Sequence, residues 1–154
     1  MRKVVFGNAA VPVTDLQPWL DIEALATAEL SSEDPAKPFE NALSAGGHGW
    51  RALAPGPQTI RLRFDTPIDV QKIRLEFLEP EIQRTQEFSV VAEVKGGGRR
   101  EIVRQQWNFG PGDSSTEKEE YTVDLRNLVY LELNIDPGKH DRTCFATLEF
   151  LGLR

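Results

Sequence analysis

Residues 58–77, QTIRLRFDTPIDVQKIRLEF, carry the pattern that decides the fold. Ile60, Leu62 and Phe64 alternate with Arg61 and Arg63, and after DTPID the residues Ile73, Leu75 and Phe77 alternate with Lys72, Arg74 and Glu76. A period of two sends successive side chains to opposite faces, which is the requirement of a strand with one buried and one wet side. DTPID itself reads as a proline turn joining two such strands.

The same alternation spreads outward. Phe88, Val90, Ala92 and Val94 make a third strand, and KGGGRR then separates it from EIVRQQW in the manner of a tight hairpin, since glycine reaches positive φ without cost. A phosphate loop needs its glycines between a strand and a helix, and no helical period follows here. NFGPGDSSTEKEE reads as a long polar surface loop. EYTVDL and LVYLELNI restore the strand pattern, DPGKHDRT is a further loop and CFATLEFLGL a last strand. With no repeat and no long helical period, the sum is about eight strands in one domain. Upstream, DIEALATAEL fits a helix or a loop running into a strand at ATAEL, and Pro35 and Pro38 leave room only for a short helical turn at Phe39 to Leu43.

Composition narrows the function classes. The 154 residues suffice for one domain, with 40% hydrophobic and 27% charged residues, the balance of an ordinary globular chain. The net charge of -6, from 24 acidic against 18 basic residues, repels phosphate backbones and argues against nucleic acid. Arg99, Arg100 and Arg104, and Lys139, His140 and Arg142, form short basic groups that read as solvated faces. No stretch has the length of a membrane span and MRKVVFGNAAVPV is a poor signal peptide, so a cytoplasmic location is expected. Cys144 stands alone, which excludes an intrachain disulfide and suits inert packing.

ATAELSSEDPAKPFENALSAGGHGW, residues 26–50, resembles the opening of discoidin-type, coagulation-factor C-type domains of the galactose-binding-like superfamily. The order of QTIRLRFDTPIDVQKIRLEF, RTQEFSVVAEVKGGG and ATLEFLGL resembles the later strands of the same domains. The resemblance implies an all-β, eight-stranded antiparallel jelly-roll β-sandwich with neighbouring termini, and it favours a strand at ATAEL. It divides the chain into an N-terminal extension, residues 1–25, packing on the domain, and a discoidin-like sandwich over residues 26–154. It implies a module that binds rather than catalyses, with sugars, lipid head groups or proteins as ligands.

Many relatives hold a structural calcium ion between an Asp after Ala-Leu and a Glu in the last strand. Here Glu149 stands in the matching strand, but Ser44 takes the place of the acid, and calcium wants six to eight oxygens with charged ones among them. The sugar-binding relatives imply a hydrogen-bonding role for Arg84, with a surface salt bridge to Glu81 or Glu87 as the alternative. His48 and Arg51 lie beside Trp50, which is expected in the core, while Trp107, Asn108 and Phe109 offer a stacking face from another loop. His140 and Arg142 complete the ligand-binding candidates.

No nucleophile with a base, carboxylate pair or metal cluster stands at a recognisable spacing, so no enzyme is expected. Two readings follow. One is a module for a carbohydrate or similar polar small molecule, held by loops at one end of the sandwich. The other is an intracellular interaction or scaffold domain, a homodimer included, with Trp19 and RKVVF in a subunit contact. Convergence of Arg84, Trp107 and Phe109 on one open concave surface favours the first, and their packing inside favours the second.

Overall fold

The computed structural model describes residues 18–154, apart from the side chain of Asp113. RKVVF lies outside the described residues. A single helical turn, α1 (Ile22–Leu25), opens with Asp21 accepting from the Ala24 amide and runs directly into β1 (Ala26–Leu30). Both halves of DIEALATAEL thus find their element. A 3-10 turn forms at Phe39–Leu43 and places Phe39 and Ala42 in the core. The strands that follow are β2 (Trp50–Arg51), β3 (Gln58–Leu78), β4 (Arg84–Val94), β5 (Arg99–Phe109), β6 (Thr116–Asp136), β7 (Thr147–Leu148) and β8 (Phe150–Leu153).

Among the described residues there are eight strands, with different boundaries from those the sequence suggested. DTPID is a bend inside the 21-residue β3, not a turn between strands. The pairing of β3 with β6 slips between Arg63 and Ile68, again before Val70 and again before Lys72, and such bulges bend a strand without ending it. Across the bend, β6 turns at Asn127, which adopts φ 58 and donates its backbone N–H to Asp69 Oδ1 at 2.9 Å. The polar run NFGPGDSSTEKEE is a loop only as far as a short 3-10 turn, Gly112–Ser115, and its charged tail already belongs to β6.

These two long bent strands make the sandwich. One layer runs β1, β3, β6, β4, β5, antiparallel throughout, and uses the first half of β3 and the second half of β6. The other uses the second half of β3, paired on one side with the first half of β6 and on the other with β8. Ile60 and Leu62 from the first half of β3, Ile73 and Leu75 from its second half, Val90, Leu131, Leu133 and Leu151 meet around a void of about 10 Å³, so the alternate apolar residues of both halves face one another. Phe77 and Phe88 join the layers with ring centroids 5.1 Å apart. Trp50 is 1% exposed, the core position expected of it, and donates its indole N–H to the Ser32 carbonyl.

The last strand is split. Thr147 and Leu148 pair with β2, Phe150 to Leu153 pair with β3, and Glu149 stands at the crossing between the two. The Leu20 amide donates to the Leu153 carbonyl at 2.7 Å, which brings the start of the described chain beside its end. Trp19 spends its ring within the chain, edge-on to Phe150 and under the Arg154 guanidinium. Among the described residues no helix is long and apolar enough to cross a membrane.

Candidate functional site

The end of the sandwich where β3 and β6 finish and β4 begins carries two clefts, with the turn of residues 79–83 standing between them. What fixes that turn is Arg84. Its side chain is 2% exposed, and its Nε donates to Glu79 Oε1 at 2.8 Å. Its Nη1 donates to Gln86 Oε1 at 3.0 Å and to the Pro137 carbonyl at 2.8 Å, and its plane lies 4.5 Å above the Phe109 ring. Glu79 in turn accepts from the backbone amides of Glu81 and Ile82. Burial pushes the Glu79 carboxyl up, but the Arg84 bond and those two amides outweigh it and hold it below the usual carboxylate range.

This corrects two expectations. Arg84 pairs with Glu79 inside the protein, not with Glu81 or Glu87 on its surface; Glu87 binds Lys139 and Arg104 instead, which lowers its pKa. Phe109 is 1% exposed beneath that guanidinium and offers no open stacking face. Trp107 is half-buried, with its indole N–H donated to the Ser114 carbonyl at 3.0 Å, while Asn108 is exposed. The strand period contained the signal: Arg84 and Gln86 share parity with Phe88 and Val90, so a continued β4 buries them on the same face.

The first cleft, of about 260 Å³, lies between the turn and the small β2–β7 sheet. Its walls include Lys37, His48, Arg51, Glu81, Thr147 and Glu149. Two of the expected residues, His48 and Arg51, meet here. Arg51 stacks over Phe145 at 4.6 Å and has no ion-pair partner among the described residues; neither do Glu81 and Glu149. Glycine is required at the rim, because a Cβ on Gly49 would sit 2.9 Å from the Leu148 carbonyl and 3.0 Å from Glu149 Oε2, at a φ of +74°. The residues that sequence reasoning missed in this cleft, Lys37, Glu81 and Thr147, stand on ordinary loop and strand positions with no motif to mark them.

The second cleft, of about 390 Å³, lies on the other side of the turn, where the ends of β4, β5 and β6 come together. Arg84 and Phe109 line it with Gln83, Thr85, Asn108, Lys139, His140 and Asp141. Four of the expected residues, Arg84, Asn108, Phe109 and His140, are therefore neighbours; Arg142 is exposed and lines neither cleft, nor does Trp107.

The calcium that the resemblance implies does not match the groups present. Glu149 brings one carboxylate against Gly49, but Ser44 is exposed and its carbonyl accepts from the Gly47 amide. The Lys37 ammonium, itself a cation, occupies the His48 carbonyl at 2.9 Å. Among the described residues no three His, Cys, Asp or Glu side chains gather as a metal site. A divalent ion that wants several anionic oxygens is poorly served by one carboxylate and a nearby ammonium.

No protein-family model and no curated protein matches the sequence. Solved structures do match in shape. The family 32 carbohydrate-binding module of Clostridium perfringens NanJ, solved with galactose, superimposes with a TM-score of 0.54 at 15% identity, over 83% of this chain and 92% of that one. CpGH89CBM32-4 from Clostridium perfringens gives a TM-score of 0.59 at 18% identity, over 88% of this chain and 98% of that one. XRCC1 bound to the DNA polymerase β catalytic domain gives 0.59 at 13%, over 84% and 94%. The likeness shows the fold, an antiparallel β-sandwich of the kind the resemblance implied.

Proposed function

We propose that the chain is a non-catalytic binding module that takes a carbohydrate or similar polar small ligand in the first cleft. The observation that carries this is the mixture of unspent groups around one concavity: Arg51 and His48 as donors, Glu81 and Glu149 as acceptors. A sugar hydroxyl donates and accepts at once, so a wall holding both kinds of group suits it. Such sites bind weakly, and a millimolar dissociation constant needs only about 4 kcal/mol. Sugars stack on aromatic faces in many sites, but Trp50 is buried here, so binding relies on hydrogen bonds and on the apolar edges of Leu78 and Pro80. The structural neighbours solved with galactose and other sugars support the reading by analogy of fold alone.

A second reading, a protein-interaction domain, is favoured by one specific finding. Arg84 and Phe109 pack inside, and the end of β3 and the turn after it instead present Leu78, 40% exposed, and Ile82, 52% exposed. The neighbour XRCC1 was solved in complex with another protein. Glycan-array screening together with light scattering after size exclusion separates the two. Binding to a defined glycan by a monomer supports the first reading. A silent array with a stable dimer overturns it.

A further inference from the structure

The second cleft differs from the first in kind. Its lining holds two cations, Arg84 paired with Glu79 and Lys139 paired with Glu87, and one carboxylate, Asp141, whereas the first cleft sets Lys37 and Arg51 beside Glu79, Glu81 and Glu149. Asp141 spends Oδ1 on the Thr143 amide at 2.9 Å and the Thr143 hydroxyl at 2.6 Å. Thr85 donates its hydroxyl to Asn108 Oδ1 at 2.8 Å, which occupies the acceptor end of that amide and leaves its nitrogen to donate. Gln83 and His140 are exposed and have no partner among the described residues. Lys139 is steadied by Glu87 at 2.8 Å, and its backbone amide binds the Thr85 carbonyl, so its position is set by β4.

The lining side chains still free to donate are the Asn108 nitrogen, the Gln83 amide, His140 and a remaining Lys139 N–H. Its frame is already assembled, because Arg84 holds the Pro137 carbonyl and Glu79 together and so ties residues 137–141 to the turn. A site that is built in advance and lined by donors is matched by a ligand group that only accepts. We propose that the second cleft binds the oxyanion of a small carboxylate- or phosphate-bearing ligand, independently of the first cleft. The net charge of the whole chain, -6, makes this local and weak, without long-range attraction.

The test is an NMR titration of the full 15N-labelled chain with galacturonate, inorganic phosphate and galactose, each at matched ionic strength. Saturable shifts at Asn108, Lys139 and His140 with either anion support the proposal. A response to both anions assigns the site to a bare oxyanion, to galacturonate alone a sugar acid, and to phosphate alone a phosphate group. Lys139→Ala with His140→Ala, both at exposed positions, weakens the anion at least tenfold, while Arg142→Ala, exposed and outside the cleft, leaves it unchanged. No saturable shift with either anion overturns the proposal, as does an equal response to galactose or an equal loss with Arg142→Ala. Galactose shifts at His48 and Arg51 report on the first cleft, so the two readings fail separately.

Discussion

Glu117 is an acidic side chain shut away from solvent. It is 0% exposed on β6; one oxygen accepts from Gln86 Nε2 at 3.3 Å and the other has no partner. Burial, then the neighbouring Glu119 carboxyl, push its pKa up to about 8. In the unfolded chain a glutamate releases its proton near 4.3, so between there and about 8 the folded state holds more protons and stability falls as pH rises. Urea denaturation across pH 4 to 9 is expected to show that decline, and Glu117→Gln to flatten it, adding on the order of 2–4 kcal/mol at the alkaline end. An unchanged profile in the variant would remove Glu117 as the cause. Gln86 links Arg84 to this acid, accepting from the guanidinium and donating to the carboxyl. Arg84→Met leaves Glu79 Oε1 and the Pro137 carbonyl without the guanidinium donor and should cost roughly 3–5 kcal/mol, the scale of breaking a buried pair. Arg84→Lys is expected to recover little, since an ammonium cannot replace a fork serving three acceptors.

At the scale of elements, the bends in β3 and β6 decide how one continuous ribbon becomes two layers. Asn127 supplies the positive φ in β6 and Asp69 receives its amide. Asn127→Gly should therefore be within about 0.5 kcal/mol of the wild type, while Asn127→Val, strained at that φ, loses roughly 1–2 kcal/mol. Equal melting curves for both variants would contradict this account of the bend. The strands themselves were legible because period two survives any context in which one face is dry. The bends were not, since DTPID has the composition of a turn and only pairing partners reveal that β3 continues through it. The same limit hid Glu117: TEKEE reads as solvated loop, although Glu117, Glu119 and Tyr121 share parity with Leu125 and so lie on its buried face. Of the eight candidate ligand residues, six line one of the two clefts, His48 and Arg51 the first and Arg84, Asn108, Phe109 and His140 the second. Their division between two clefts depends on the Arg84 and Glu79 pair, which alternation along β4 implied but residue type concealed.

For the whole molecule, a sandwich with dry contact between its layers leaves the strand ends as the place where polar groups converge without unfolding cost. Arg51, His48, Glu81 and Glu149 come from three separate stretches of chain, and only closure of the β2–β7 pair against the turn brings them to one wall. The most direct measurement is an NMR titration of the labelled chain with the strongest ligand from a glycan array, alongside Arg51→Ala. The account predicts saturable shifts at His48, Arg51, Glu81 and Glu149, with affinity reduced at least tenfold in the variant while its melting temperature stays put. Shifts confined to other surfaces, or full affinity retained by Arg51→Ala, would contradict it.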